Sequence, residues 1–144
     1  MKFRYRLQKV VEFKQNEKTQ AEWLLSDAIA LLRREEATLM ELQDMRRELA
    51  EQLQASAEGR LSISDMRVFQ DYLEHIDRLI GLKTAAVRKA KDRVEERQEG
   101  LKTKMVEEKV WLKARDNAYR RYMEQFYKNE QRELDDIALM RHGG

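Results

Sequence analysis

Apolar residues recur along most of this chain at alternating steps of three and four. From Phe3 the steps run through Leu7, Val10, Lys14, Glu17, Ala21, Leu24, Ala28, Leu31, Glu35, Thr38, Leu42, Met45, Leu49, Gln52 and Ser56, and ten of these sixteen positions are apolar. No period-two alternation competes with this pattern, so the segment reads as helix. A repeat of about 3.5 residues on a helix of about 3.6 per turn keeps its apolar seam in line only by winding left-handedly around a second helix.

The chain supplies that helix. Ala57-Glu58-Gly59-Arg60-Leu61-Ser62-Ile63-Ser64 is the one stretch with turn chemistry away from the C-terminus. Gly59 is expected to take the left-handed conformation that ends a helix. Ser62 is expected to cap the next one by accepting from the amide of Asp65, with Leu61 stapled to Met66. The second arm runs through Met66, Phe69, Leu73, Ile76, Ile80, Lys83, Val87, Ala90, Val94, Arg97 and Leu101, then Met105, Glu108, Leu112, Arg115, Tyr119, Tyr122, Phe126, Asn129 and Glu133. Two steps of four around Leu101 predict a stutter, a local unwinding of the coiled coil. Gly100 sits there, and Gly81 earlier; both read as tolerated flexible points.

The pattern therefore predicts an all-α fold, an antiparallel two-helix coiled-coil hairpin with a longer second helix. The expected organisation is a single domain over 1–144, with a helix over about 3–57, a turn over about 58–63 and a helix over about 64–140. Folding back around residues 60 and 61 makes partners add to about 121, which sets Val10 opposite Trp111, Leu31 opposite Ala90 and Met45 opposite Ile76. The same alignment brings Glu17 near Lys104, and Lys14 near Glu107 or Glu108. At about 1.5 Å per residue the arms measure roughly 80 and 115 Å, so the end of the second has no partner within the chain.

Composition narrows the function classes. There is no proline or cysteine, and only five glycines, so helices run uninterrupted and no disulfide can form. A two-helix seam encloses no pocket. The 29 basic and 27 acidic residues leave a net charge of only +2, interleaved as on a solvated face, with i to i+4 pairs such as Asp116 with Arg120 and Glu124 with Lys128. Basic residues gather at the ends: Lys2, Arg4, Arg6, Lys9 and Lys14, then Arg120, Arg121, Lys128 and Arg132. Acids dilute the second group, which argues against nucleic acid. No apolar run suits a membrane span and no signal-peptide pattern is read. His75 and His142 stand alone, and no nucleophile set, phosphate loop or metal-ligand spacing occurs, which argues against an enzyme, a metal and a cofactor.

Aromatic residues crowd the far arm as Trp111, Tyr119, Tyr122, Phe126 and Tyr127. The first arm is expected to end opposite residue 118, leaving Tyr122, Phe126, Ile137 and Met140 as an uncovered stripe. Such a stripe reads as a binding surface.

The opening Phe3-Arg4-Tyr5-Arg6-Leu7-Gln8-Lys9-Val10-Val11, with Lys14 and Glu17, resembles the amino-terminal signature of the FliJ family. The segment Glu130-Gln131-Arg132-Glu133-Leu134-Asp135-Asp136-Ile137-Ala138 resembles that family's acidic, leucine-containing end. The resemblance covers the whole chain. It implies a non-enzymatic stalk or adaptor of the flagellar type III protein export apparatus, serving motility. Such a stalk would insert into the hexameric export ATPase FliI and link it to the cytoplasmic domain of the export gate FlhA and to export chaperones. It implies a cytoplasmic location, peripheral to the inner membrane at the flagellar base.

Phe3, Arg4, Leu7, Tyr119, Tyr122, Phe126, Ile137 and Met140 are the ATPase-binding candidates. Carry-over from the central turn gives Thr38, Leu42, Met45, Leu49, Tyr72, Ile76, Leu79 and Lys83 as gate-binding candidates. Seam packing is the preferred account of the first four, and Tyr72 and Leu79, away from the seam, are the better contacts. The stalk of a virulence secretion system and a generic homodimeric scaffold stand as alternatives.

Overall fold

The computed structural model describes residues 2–59 and 61–142. Arg60, at the centre of the expected fold-back, lies outside the described residues, as do Met1, Gly143 and Gly144 at the ends of the expected domain. Two helices make up the fold, α1 over Gln8–Ala57 and α2 over Ile63–His142, 50 and 80 residues long. They pack against one another as an all-α helical hairpin. Neither contains proline, and the only glycines in them, Gly81 and Gly100, have nothing within 4 Å of where a Cβ would stand.

Helix α1 starts five residues later than the periodicity from Phe3 suggested. A turn at Arg6 and Leu7 precedes it, in which the amide of Gln8 donates to the carbonyl of Tyr5 at 3.1 Å. Its end also differs from expectation. No described glycine has a positive φ, so Gly59 does not adopt the left-handed conformation. The amide of Gly59 donates to the Ser56 carbonyl at 3.1 Å, and that of Leu61 to the Gly59 carbonyl at 3.1 Å. This tight winding satisfies terminal carbonyls without reversing φ. Ser62 caps α2 as expected: its Oγ accepts from the amide of Asp65 at 3.1 Å, while its carbonyl accepts from Met66.

The chain divides into two compact units, one formed by Glu22–Gly100 and the other by Met1–Ala21 with Leu101–Gly144. In the Glu22–Gly100 unit the helices run antiparallel through the turn. Ala28, Ile76, Val87 and Ala90 are buried there, and Leu25, Leu32, Leu39, Leu42, Leu49 and Leu53 line the seam half-buried. Leu24, Leu31 and Met45 were expected in that seam, yet each is at least 40% exposed and flanks it. The register along the pair is nevertheless close to the expected one, since Leu31 and Ala90 line the same groove. Lys83 reaches Glu35 at 2.8 Å, and Arg46 bonds Asp77.

The unit built from the chain ends is packed differently. Val11, not Val10, is its one buried apolar residue among those described. Ion pairs fill the seam: Lys14 with Glu107 at 3.2 Å, Glu17 with Lys104 at 2.5 Å, and Lys18 with Glu108 at 3.1 Å. The first two pairs each add to 121, the expected register. On α2 the half-buried positions run Leu101, Lys104, Glu107 and Glu108, with Met105 exposed, and a step of four from Arg97 to Leu101 precedes them. A three follows the four, so the expected stutter is absent. Lysine can occupy the seam because its methylene stem packs along apolar surface while its ammonium meets Glu17 at the edge.

Candidate functional site

Residues 2–7 lie outside α1, and Phe3 folds against α2. Its ring centroid is 5.2 Å from that of Tyr119, edge-on, and 5.4 Å from that of Tyr122. Such pairs contribute about 0.5–1.5 kcal/mol beyond the area they bury. Tyr122, expected to be uncovered, is therefore half-buried under Phe3. The correction has a simple cause. Extended chain advances about 3.3 Å per residue where helix advances about 1.5 Å, so a non-helical start reaches farther along α2 than a helix would.

Every residue of α2 from Glu124 to His142 is exposed. Phe126 is 37%, Ile137 51% and Met140 81% exposed, and Leu134 is exposed beside them. At about 100° per residue these four fall within an arc of about 120°, so one face of the free helix end is apolar. Phe126 packs edge-on with its neighbour Tyr127, ring centroids 5.9 Å apart, which leaves that face open.

Beside the aromatic contact lies an open groove of about 540 Å³ lined by Phe3, Arg4, Tyr5, Gln8, Arg115, Asp116 and Tyr119. Arg115 is half-buried, and its guanidinium lies 3.4 Å from the amide oxygen of Gln8. It makes no ion pair with Asp116 or any other described carboxylate. The other seam cations of this unit, Lys14, Lys18 and Lys104, all face acids. The sequence held a sign of this: the residue adding to 121 with Arg115 is Arg6, so no acid stands across from it. Of the remaining candidates here, Arg4 is exposed and Leu7 is partly so.

The ion pairs set the charge states of the seam. Lys104 holds the Glu17 carboxyl below the ordinary glutamate range, chiefly through its hydrogen bond. The same bond raises Lys104, and Glu107 raises Lys14.

The gate candidates all lie in the Glu22–Gly100 unit. Tyr72 is exposed, stacks near His75 at 6.4 Å, and lines a groove of about 470 Å³ with Leu49, Val68, Phe69, Asp71 and His75. Leu42, Leu49 and Leu79 are half-buried, and Met45 flanks the seam. Thr38 turns its hydroxyl back to the Arg34 carbonyl at 3.0 Å. Ile76 is 1% exposed, and Lys83 is engaged with Glu35. Tyr72, Leu49 and Met45 thus present surface, whereas Ile76 presents none. No helix among the described residues is long and apolar enough to cross a membrane.

Comparison with known proteins gives three concordant results. A family model described as "Flagellar FliJ protein" matches residues 1–144. The "Flagellar FliJ protein" of Bacillus subtilis (strain 168) is 24% identical over 139 residues, which cover 96% of this chain and 95% of that protein. Among solved structures, a chain described as a YscO homolog from Chlamydia trachomatis superposes with a TM-score of 0.63 at 17% identity, covering 99% of this chain and 96% of the other. At that identity the last likeness speaks to the fold.

Proposed function

Because the chain belongs to the flagellar FliJ family, whose members are non-enzymatic components of flagellar export, we propose that it is the stalk that joins the hexameric export ATPase FliI to the export gate FlhA and to export chaperones. The observation that carries this reading is the free end of α2, with Phe126, Leu134, Ile137 and Met140 exposed along one face. A ring-shaped partner that encloses this end removes the face from water on all sides, gaining roughly 25 cal/mol per Å² of apolar area before the entropy losses of association. The aromatic cluster of Phe3, Tyr119 and Tyr122, with Leu7 and Arg4 beside it, forms the adjoining part of the ATPase surface.

The gate contact falls to the Glu22–Gly100 unit, on Tyr72, Leu49 and Met45 with Thr38, Leu42 and Leu79 around them. Lys83 and Ile76 support this surface from within. The stalk works in the cytoplasm, peripheral to the inner membrane at the flagellar base.

Phe126→Ala with Ile137→Ala in the full chain is expected to abolish co-purification with the cognate ATPase and stimulation of its hydrolysis. The helical melt should remain close to that of the unaltered chain, because both side chains face water in the free protein. Retention of full stimulation by this variant would place the ATPase contact elsewhere. Tyr72→Ala is expected to weaken gate binding while sparing the ATPase, so the two surfaces are separable by pull-down with each partner alone.

A further inference from the structure

We propose that the outer side of α2 between residues 102 and 120 lies against the surface of an anionic bilayer, its lysines and arginine meeting lipid phosphates. Lys102, Lys109, Lys113 and Arg120 are all exposed, and none makes an ion pair with a described carboxylate. At about 100° per residue they fall within about 20° of one line, which runs for about 27 Å along the helix. That line faces away from α1. Leu101, Lys104, Trp111, Arg115, Ala118 and Tyr122, half-buried in the same stretch, lie across the helix from it. Exposed acids are scarce here. Glu107 and Glu108 pair with Lys14 and Lys18 at the seam. With Arg121, residues 102–121 therefore expose five cations against the single carboxylate of Asp116, on a chain whose net charge is only +2.

Met105, Val106 and Val110 flank the line of cations and are 51%, 58% and 61% exposed. A partner helix would centre on such apolar residues, whereas the centre of this face is charged. A nucleic-acid backbone offers phosphates to the cations but nothing apolar to the flanks. A bilayer offers both. Headgroup phosphates meet each cation without a required register, and the boundary beneath them receives methionine and valine while the lysine stems snorkel. The face is already helical in the free chain, so binding has no helix to nucleate. This contact gives the peripheral location proposed above a physical means. A chain held at the membrane by the gate alone would bind no vesicle, so the contact stands or falls without the gate and ATPase assignments.

Co-sedimentation of the full chain with lipid vesicles reads the contact. In about 50 mM salt the chain is expected to pellet with phosphatidylcholine vesicles carrying about 30% phosphatidylglycerol, about tenfold or more strongly than with phosphatidylcholine alone, and to come free in about 500 mM. Lys109→Glu with Lys113→Glu should weaken this binding about tenfold or more. Arg67→Glu with Arg78→Glu, on exposed side chains of the Glu22–Gly100 unit, changes the net charge equally and should weaken it less than about threefold. All four side chains face water without ion pairs, so far-UV circular dichroism should be the same in both variants. No binding to anionic vesicles in low salt overturns the proposal. So does equal binding to neutral vesicles, or an equal loss from the two variants, which would make net charge the cause and not this face. Binding of random-sequence duplex DNA in the same buffer, without binding of vesicles, would assign the cations to a nucleic acid instead.

Discussion

Glu17 and Lys104 meet across the two helices, carboxylate oxygen 2.5 Å from ammonium nitrogen, with Lys14 completing the group 3.4 Å from the same carboxylate. The carboxyl is held below its ordinary range, so its contribution to stability is present above about pH 4.3 and is lost as the pH falls through the lowered value. The two lysines are raised, so their contribution is present below about pH 10.4 and is lost as the pH rises through the raised values. Thermal melts should therefore show a plateau across neutral pH with an acid limb below about pH 4. Glu17→Gln should lower the plateau and flatten that limb; an acid limb of unchanged depth in Glu17→Gln would assign it to other carboxylates.

The seam passes through Leu32, and its neighbour Leu31 flanks it. Leu32→Ala is expected to cost about 2–3 kcal/mol and Leu31→Ala less than about 1 kcal/mol in urea denaturation. Equal costs would mean that the two leucines share the seam.

Gly59 carries no positive φ, and the nearest atom to an added Cβ is the Ser56 carbonyl oxygen at 3.6 Å. Gly59→Val should therefore change stability by no more than about 0.5 kcal/mol. Ser62→Ala, which removes the cap on Asp65, should cost about 1 kcal/mol. A large loss from Gly59→Val, read by the same melts, would reveal strain at that position.

At Gly81 and Gly100 an added methyl meets open space inside α2. Gly81→Ala and Gly100→Ala should each stabilise the chain by up to about 1 kcal/mol, because alanine has less backbone freedom to lose. A lower melting temperature in either variant would mark that glycine as a functional flexible point.

The antiparallel register was legible because Lys14, Glu17, Lys104 and Glu107 are complementary in only one alignment. Which residue of each leucine pair enters the seam was not, because Leu24-Leu25 and Leu31-Leu32 offer an apolar side chain at either choice. Counting hydrophobic letters favoured Met105 over Lys104, whereas the lysine stem supplies the contact and its ammonium the partner. The start of α1 was hidden for a related reason: Phe3, Leu7 and Val10 fit a helical spacing, yet Phe3 reaches Tyr122 only by leaving the helix. Arg115 was visible as a seam position, and the 121 register already set Arg6 rather than an acid across from it; that Gln8 lies beside it was not visible.

Val11 is the one described side chain in the terminal unit that is sealed from water, at 0% exposure. Around it, lysine and glutamate can each trade their partner for solvent readily, since half-exposed ions are already largely hydrated. Amide exchange at Lys14 to Lys18 should accordingly proceed through local opening well below the free energy of global unfolding. The chain's two ends are thus joined by a fastening that wets and reseals readily, and a protein gripping this end can loosen it without dismantling a hydrophobic core.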